Sequence, residues 1–398
     1  MRDGASTGRA TGPGRGLLVL ACAVAILDSI FIAALAPLLP YYSDLLDIGS
    51  GLVGVLSASY GVGLLLGALP AGIVSARLGE RRVLALALGI LAVSSVAFGL
   101  AESFPVLVVA RTVEGVGSAL AWTSMLAWLV AASPATRRAR LLGLVFGAAF
   151  AGFTLGPVLG AIAVGIGPRA AFVATGAVAA GLALWALVLD APVRAAAPRF
   201  AAYLRLARQR GVPYALLLQA LPGMLVGATT VVASLRLSDL GASSTAIAAA
   251  FVVAGALQGI GSPIAGRWTD RVGTLLPIRA GLLLAAASAV AIALPDGSPA
   301  VAALLAVSWI AFAVVLVPAT ALLAAAVDEA HEDQSLGFAL MNLAFAPGAL
   351  VGAVAAGVLR DAAGDVAALA TVSVLCLAML LVRPPALARA RPAGARGR

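Results

Sequence analysis

The sequence predicts an all-helical membrane protein with twelve transmembrane helices in two pseudo-symmetric six-helix bundles. The composition, the placement of arginine and an internal repeat predict it. Apolar residues make up 62% of the 398 residues and charged residues only 11%, whereas soluble domains contain about 25% charged residues. A span needs about 20 apolar residues, so the chain holds about twelve spans with short loops. At such lengths only helices satisfy their own backbone in lipid.

Apolar runs divide the chain into two bundles, one loop that connects them and two terminal segments. The N-terminal bundle is predicted at 16–190 and the C-terminal bundle at 212–382. A cytoplasmic central loop at 191–211, partly an amphipathic helix on the anionic inner leaflet, joins them. Residues 1–15 are expected to be a disordered cytoplasmic N-terminus, and 383–398 a cytoplasmic tail. The predicted spans are 16–39, 50–74, 83–100, 105–131, 140–165, 170–190, 212–235, 244–266, 277–294, 299–326, 335–359 and 364–382.

The basic residues predict the orientation of the chain. All 26 are arginine, and 22 of them fall in segments that are cytoplasmic if the N-terminus is inside. External loops hold only Arg169, Arg236 and Arg360, and Arg111 lies within a span. Because cytoplasmic loops are enriched in positive residues, both termini are predicted to be cytoplasmic. The same clustering favours the lipid bilayer, rather than nucleic acid, as the partner of a chain with net charge +9.

The composition also excludes several classes of function. Without lysine the chain has neither a Walker A phosphate loop nor a lysine Schiff base. Cys22 and Cys376 lie inside apolar runs and the chain has a single histidine, so neither a disulfide nor a metal site is predicted. No nucleophile–base constellation is present, so no catalytic residues and no cofactor are expected.

An internal repeat relates the two halves. Gly72-Ile-Val-Ser-Ala-Arg77-Leu-Gly79 ends the second span, and Gly266-Arg-Trp-Thr-Asp270-Arg271-Val-Gly273 ends the eighth, 194 residues later. Repeated halves are typical of secondary transporters, whose substrate site lies near the bilayer midplane between them. The repeat therefore predicts a transporter.

The loop after the second span resembles that of the major facilitator superfamily, and within it the twelve-span drug:proton antiporters. The family pattern G-x-L-A-D-R-x-G-R-R is matched from Gly72 to Arg82, except that Ala76 replaces the aspartate. The resemblance implies that this aspartate latches the inward gate, so the latch is expected only in the C-terminal half. Alternatively, the arginines only fix the topology. The gating positions are Gly72, Arg77, Gly79, Arg81, Asp270, Arg271 and Gly273.

The fourth span resembles the family motif L-x-x-x-R-x-x-Q-G-x-G, with Glu114 in place of the glutamine. Arg111 and Glu114 are three residues apart and therefore share a helix face. An intramembrane arginine is costly unless it has a partner. The pair either neutralises itself and packs the bundle, or Arg111 tunes a titratable carboxylate in the proton path. Both readings stay open.

The fifth span matches the antiporter motif G-x8-G-x3-G-P-x2-G at Gly143, Gly152, Gly156, Pro157 and Gly160. Small residues let two helices approach closely, and Gly-Pro supplies a kink or hinge. The resemblance implies export rather than uptake.

The first span resembles that of vesicular monoamine transporters and of their bacterial multidrug efflux relatives. Asp28 has eleven residues of Leu17–Leu39 on either side, so it is expected near the midplane, where carboxylates are mostly functional. The resemblance implies that it engages a cationic amine or a coupling proton; it could instead pair with another helix or be protonated. The segment Gly337–Gly348 resembles their eleventh span, but Asn342 replaces an aspartate. Proton traffic is therefore expected through Asp28 and Glu114.

Together these features predict a monomeric, multi-pass transporter of the bacterial inner (plasma) membrane, driven by the proton gradient. Its partners are protons and a lipophilic, cationic small molecule that it exports by antiport. One alternative is an exporter or permease of a neutral metabolite or sugar; another is a membrane sensor or scaffold that transports nothing. Candidate cavity residues, with aromatic rings for cation–π contacts, are Tyr60, Trp122, Gln219, Gln258 and Trp309.

Overall fold

The structure, a computed structural model, describes residues 15–133, 137–189, 200–209, 211–330 and 334–384. The segments predicted as the disordered N-terminus (1–14) and the tail (385–398), and residues 191–199 of the central loop, lie outside the described residues. The helices are α1 (Arg15–Ala33), α2 (Leu35–Leu46), α3 (Ser50–Leu78), α4 (Glu80–Gly99), α5 (Phe104–Ala131), α6 (Arg138–Ile166), α7 (Pro168–Val188), α8 (Phe200–Ala207), α9 (Val212–Asp239), α10 (Ser244–Val272), α11 (Leu275–Ile292), α12 (Ser298–Glu329) and α13 (Gln334–Leu381).

The number of spans follows from the lengths of these helices. Within the described residues, eleven helical segments are long and apolar enough to cross a membrane. The last of them, Leu340–Leu381, has 42 residues and would be about 63 Å long at 1.5 Å per residue, twice the thickness of the hydrocarbon core. Gly364, at φ 82°, breaks it into two, in a backbone conformation that glycine adopts without strain. The part of the chain that the structure describes therefore has twelve spans.

The first span differs from its prediction as one helix ending at residue 39. It divides at Ala34 into α1 and α2, and α2 continues to Leu46. Pro37 has no N–H to donate to the carbonyl of Ala33, which accounts for the break. The polar residues that follow the apolar run stay helical until Asp47, whose φ of 48° ends α2.

Two hydrophobic cores lie under the two sets of helices. One is built mainly from α1–α7, with Val231, Leu235 and Ala353 from the second half, and the other mainly from α8–α13. Within the short helix α8, Leu206 is fully buried in the second core while Leu204 is exposed. The place of this segment on the inner leaflet stays a prediction. Ala36, on α2, joins the second core, so the external half of the first span touches both bundles.

The external ends of the two halves are held together by a polar contact. The Asp361 carboxylate, on α13, accepts hydrogen bonds from the backbone N–H groups of Ser50 at 2.8 Å and Gly51 at 2.7 Å. Arg360 donates to Ser50 Oγ at 2.9 Å and forms ion pairs with Asp239 and Asp365. Because free N–H groups at a helix N-terminus attract anions, Asp361 caps α3 and closes the external side.

The two halves also meet near the middle of α6 and α10. Phe150 and Thr154 on α6 face Gly259 and Gly255 on α10, where the fifth and eighth spans meet. Gly143 and Gly147 continue this face of α6 towards the cytoplasm. A methyl group at either glycine would have no described atom within 4 Å. The described contacts along this face of α6 therefore end before its cytoplasmic end.

Asp361→Asn is expected to weaken external closure, because a neutral amide is a poorer acceptor for the α3 N–H groups. Since Asp361 is largely exposed, the shift towards externally open molecules is on the order of two- to fivefold. Spin labels at the exposed positions Leu52 and Val366, in a background without Cys22 and Cys376, measure this shift. Externally open molecules appear as a population with a longer distance between the two labels. An unchanged distance distribution would contradict the cap.

The same contact predicts a pH dependence. Desolvation acts to raise the pKa of the Asp361 carboxyl, but hydrogen bonds from the N–H groups of Gly51 and Ser50 outweigh it and hold that pKa below its ordinary value. A depressed pKa stabilises closure above the ordinary aspartate pKa, and closure is lost as the external pH falls through the lowered value. The exposed Asp296 is the matched control: Asp296→Asn leaves the spin-label distances and their pH profile unchanged.

Candidate functional site

The Asp28 carboxylate lies inside the N-terminal bundle and is 0% exposed. The indole Nε1–H of Trp122 donates to its Oδ2 at 2.6 Å. The Tyr60 hydroxyl lies 3.4 Å from both carboxylate oxygens and donates to Ser118 Oγ at 2.6 Å. Helices α1, α3 and α5 thus bring one acid and three polar side chains together. Of the candidate cavity residues, Tyr60 and Trp122 do meet Asp28.

Glycines of the fifth span position the helix that carries Asp28. A methyl group at Gly152 would overlap the carbonyl oxygen of Ile26, and one at Gly156 would lie 2.9 Å from that of Ile30. A methyl group at Gly160 would overlap the carbonyl oxygen of Ala34. Backbone contact of this kind requires small residues. The predicted close approach therefore joins α6 to α1 and α2, and Pro157 lies within an unbroken α6.

Arg111 and Glu114 form a buried ion pair beside this site. Both are 2% exposed, and Arg111 Nη1 lies 2.7 Å from Glu114 Oε2. The same nitrogen donates to the carbonyl of Phe31 at 3.0 Å, three residues before the break in the first span. The guanidinium lies 5.1 Å from the centroid of the Tyr60 ring. The geometry fits the packing reading, since the pair ties α5 to α1; a role of Glu114 in proton transfer stays a prediction.

Two side chains at the site were missed by the sequence analysis. Phe146, on α6, stacks on Trp122 with 5.9 Å between ring centroids and is 39% exposed. Ser118 partners Tyr60. Ser118 lies on the helix face shared by Arg111, Glu114 and Trp122, and that spacing could have revealed it. No sequence pattern points to Phe146.

The C-terminal half contributes no described side chain that bonds to Asp28. Gln219 is 0% exposed and donates to Thr320 Oγ1 at 3.0 Å. This bond packs α9 on α12, and the role of Gln219 as a cavity residue stays a prediction. Trp309 makes an edge contact with Phe251. Gln258 is half-buried on α10, and Asn342 is exposed on α13.

The predicted gating residues lie at the cytoplasmic mouth. Asp270, Arg271 and Arg77 are exposed, and their role in gating stays a prediction. Arg81 donates to the carbonyl of Leu189 at 3.3 Å, at the end of α7, inside the N-terminal bundle. Gly72 lies in the last two turns of α3, and Gly79 and Gly273 follow α3 and α10 with φ of 82° and 86°.

Comparison with known proteins identifies the family. The sequence profile of the Major Facilitator Superfamily matches residues 21–233 and 215–397. The chain belongs to this superfamily. As a superfamily member with eleven apolar helical segments among its described residues, one of them divided, it is a multi-pass membrane transporter.

Two relatives match part of the chain. Multidrug resistance protein 2 of Bacillus subtilis (strain 168) is 26% identical over 161 residues, 39% of this chain and 40% of that protein. The uncharacterized MFS-type transporter YcaD of Escherichia coli O139:H28 is 33% identical over 144 residues, 36% of each chain. The chain thus spans well under half the length of these relatives.

Two solved structures resemble this one over nearly the whole chain. Both are of a bacterial homolog of the human lysosomal transporter Spinster. Its inward-facing, unoccupied form gives a TM-score of 0.77 at 15% identity, covering 95% of this chain and 96% of that one. The inward-facing, occupied form gives 0.71 at 16% identity, covering 92% and 93%. At such identities the likeness shows the fold.

Arg111→Gln is expected to lower the free energy of unfolding by about 3–5 kcal/mol, because it leaves the Glu114 carboxylate buried without its cation. Adding Glu114→Gln should recover part of the loss, since neither charge then remains. Thermal unfolding of the two single variants and the double variant in detergent closes this cycle. Strictly additive losses would contradict the ion pair.

Gly152→Ala is expected to push α6 away from α1, because the added methyl group meets the Ile26 carbonyl. Overpacking of this kind costs about 1–3 kcal/mol, so unfolding in detergent should occur at a lower temperature. Gly147→Ala is the matched control, since a methyl group there has no described atom within 4 Å. Equal stability of the two variants would argue against the predicted role of the glycine motif.

Proposed function

We propose that the protein is a proton-coupled antiporter that exports lipophilic, cationic small molecules across a bacterial plasma membrane. The fully buried Asp28 carboxylate carries this proposal. It lies 13 residues from the start of α1, about 20 Å along the helix, near the middle of the bilayer. Ionisable groups at such depth are costly and are usually retained for function.

Competition for one carboxylate gives antiport without any further energy source. A proton that enters from outside neutralises Asp28 and releases a bound cation. The protonated carrier turns inward, loses the proton and accepts the next cation. Because each ligand favours the conformation that binds it better, proton entry and cation exit are coupled. Arg111 and Glu114 lie on the same face of α5 as Ser118 and Trp122, and their charges bias this equilibrium electrostatically.

Three further observations support export of cations. The glycine motif associated with antiporters packs directly on the helix of Asp28. One of the two relatives is a multidrug resistance protein. Aromatic rings of Tyr60 and Trp122 lie beside the carboxylate, and Phe146 stacks on Trp122; such rings attract cations.

In this proposal the two halves have different roles. Asp28, Arg111 and Glu114 all belong to the N-terminal half. The candidate substrate-site and cavity residues of the C-terminal half are the neutral side chains Gln219, Gln258, Asn342 and Trp309. In this proposal the first half therefore couples proton entry to cation exit, and the second half lines the opposite side of the cavity and moves relative to the first.

One observation favours a second candidate, transport of a neutral metabolite or sugar. Asp28 has no exposed surface and already has a hydrogen-bond donor in Trp122. In that case the carboxylate would bind only the coupling proton. The substrate would then meet neutral side chains such as Asn342, which is exposed.

Asp28→Asn should abolish transport of a lipophilic amine driven by a pH gradient in proteoliposomes. Removing a charge-assisted contact worth about 1.5–3 kcal/mol lowers the uptake rate by about tenfold or more. The control is Asp44→Asn, which neutralises an exposed acid on α2 and should leave the rate unchanged. A variant Asp28→Asn that still exchanges normally would remove Asp28 from the mechanism, and equal transport of neutral analogues would favour the second candidate.

A further inference from the structure

The Asp28 carboxylate is inaccessible in this structure. Its exposed fraction is 0%, and Tyr60 and Ser118 beside it are buried as well. Trp122 is only partly buried. Any ligand that reaches this cluster from its exposed side therefore meets Trp122 before it meets the carboxylate.

Trp122 also holds the carboxylate directly. Its indole Nε1 lies 2.6 Å from Asp28 Oδ2, whereas the Tyr60 hydroxyl lies 3.4 Å from either oxygen and is engaged with Ser118. An indole N–H only donates, which suits a buried carboxylate. On its other side the Trp122 ring stacks on the partly exposed ring of Phe146.

We propose that Trp122 is a lid and an internal substitute for the substrate. In the empty carrier its indole N–H occupies Asp28, and a substrate cation binds only after the indole has moved away. This inference rests on the proposed function and adds a residue that sets specificity. A neutral molecule offers Asp28 nothing stronger than the indole N–H already does. A cation does, because charge-assisted hydrogen bonds are roughly twice as strong as neutral ones.

The first test measures binding of tetraphenylphosphonium, a lipophilic cation, to the purified full-length protein in detergent. Trp122→Phe keeps an aromatic ring against Phe146 but removes the N–H. It should bind the probe about two- to tenfold more tightly, the range set by loss of one competing neutral hydrogen bond. Trp185→Phe, on a helix that provides no donor to Asp28, should bind as the wild type does. Unchanged or weaker binding by Trp122→Phe would overturn the proposal.

A second test does not depend on the substrate. Dicyclohexylcarbodiimide attaches covalently to carboxyl groups in apolar surroundings, and mass spectrometry of the Asp28 peptide measures how fast it does so. Labelling should be slow in the wild type, faster in Trp122→Phe, which lacks the hydrogen bond, and fastest in Trp122→Ala, which lacks the lid. Asp28→Asn should give no label at this peptide. Equal labelling rates in the wild type and both Trp122 variants would overturn the lid.

The two tests separate this inference from the proposed function. Faster labelling in the Trp122 variants, with no cationic probe exchanged for protons, would support the lid and refute cation export. Cation export that requires Asp28, with labelling unaffected by Trp122, would support the export function and refute the lid.

Discussion

The contact between the backbones of α6 and α1 is the constraint on which the candidate site depends. Gly152, Gly156 and Gly160 bring α6 so close that a methyl group at any of them would press on a carbonyl oxygen of the first span. This contact fixes the rotation of α1 and so directs Asp28 towards α3 and α5. The same device joins those two helices, since a methyl group at Gly115 would overlap the Tyr60 carbonyl. Tyr60 is therefore placed by the backbone, and the polar cluster needs no flexible side chain to assemble.

The two halves of the protein also meet through close backbone contact at a glycine, near the external side. Near the external side, α3 and α13 approach at Gly54 and Ala353, and Asp361 caps α3. Nearer the cytoplasm, the face of α6 that contacts α10 at Phe150 opens at Gly147 and Gly143. A transporter that alternates between two closures needs contacts that break as units. A carboxylate on two backbone N–H groups is such a unit, because it forms or breaks without repacking an apolar core.

Much of the fold was predictable because apolar run length, arginine placement and glycine spacing are local properties of the sequence. Gly364, which breaks α13, and Pro37, which breaks the first span, are also local signals. The break in the first span was missed because the apolar run continues through Pro37. Arg111 and Glu114 could be paired from their spacing alone. The meeting of Asp28 with Trp122, by contrast, depends on the rotation of α1 relative to α5, which no single helix encodes. Burial of Gln219 likewise depends on packing between α9 and α12.

The buried carboxylate limits how any such carrier can work. An ionised Asp28 in an apolar bundle is costly unless it has a donor or a counter-ion at every stage. A proton, a substrate cation and the Trp122 indole are three groups that meet this need, and each excludes the others from the same oxygen. An internal donor stabilises the empty, deprotonated carrier, the one stage at which neither proton nor cation is bound. Phe146, which supports that indole, lies one turn of α6 from Phe150, at the contact with the other half. Through Phe146, the group that occupies Asp28 is therefore one turn of α6 from the contact between the halves, which gives the exchange at the carboxylate a short physical route to the movement of the bundles.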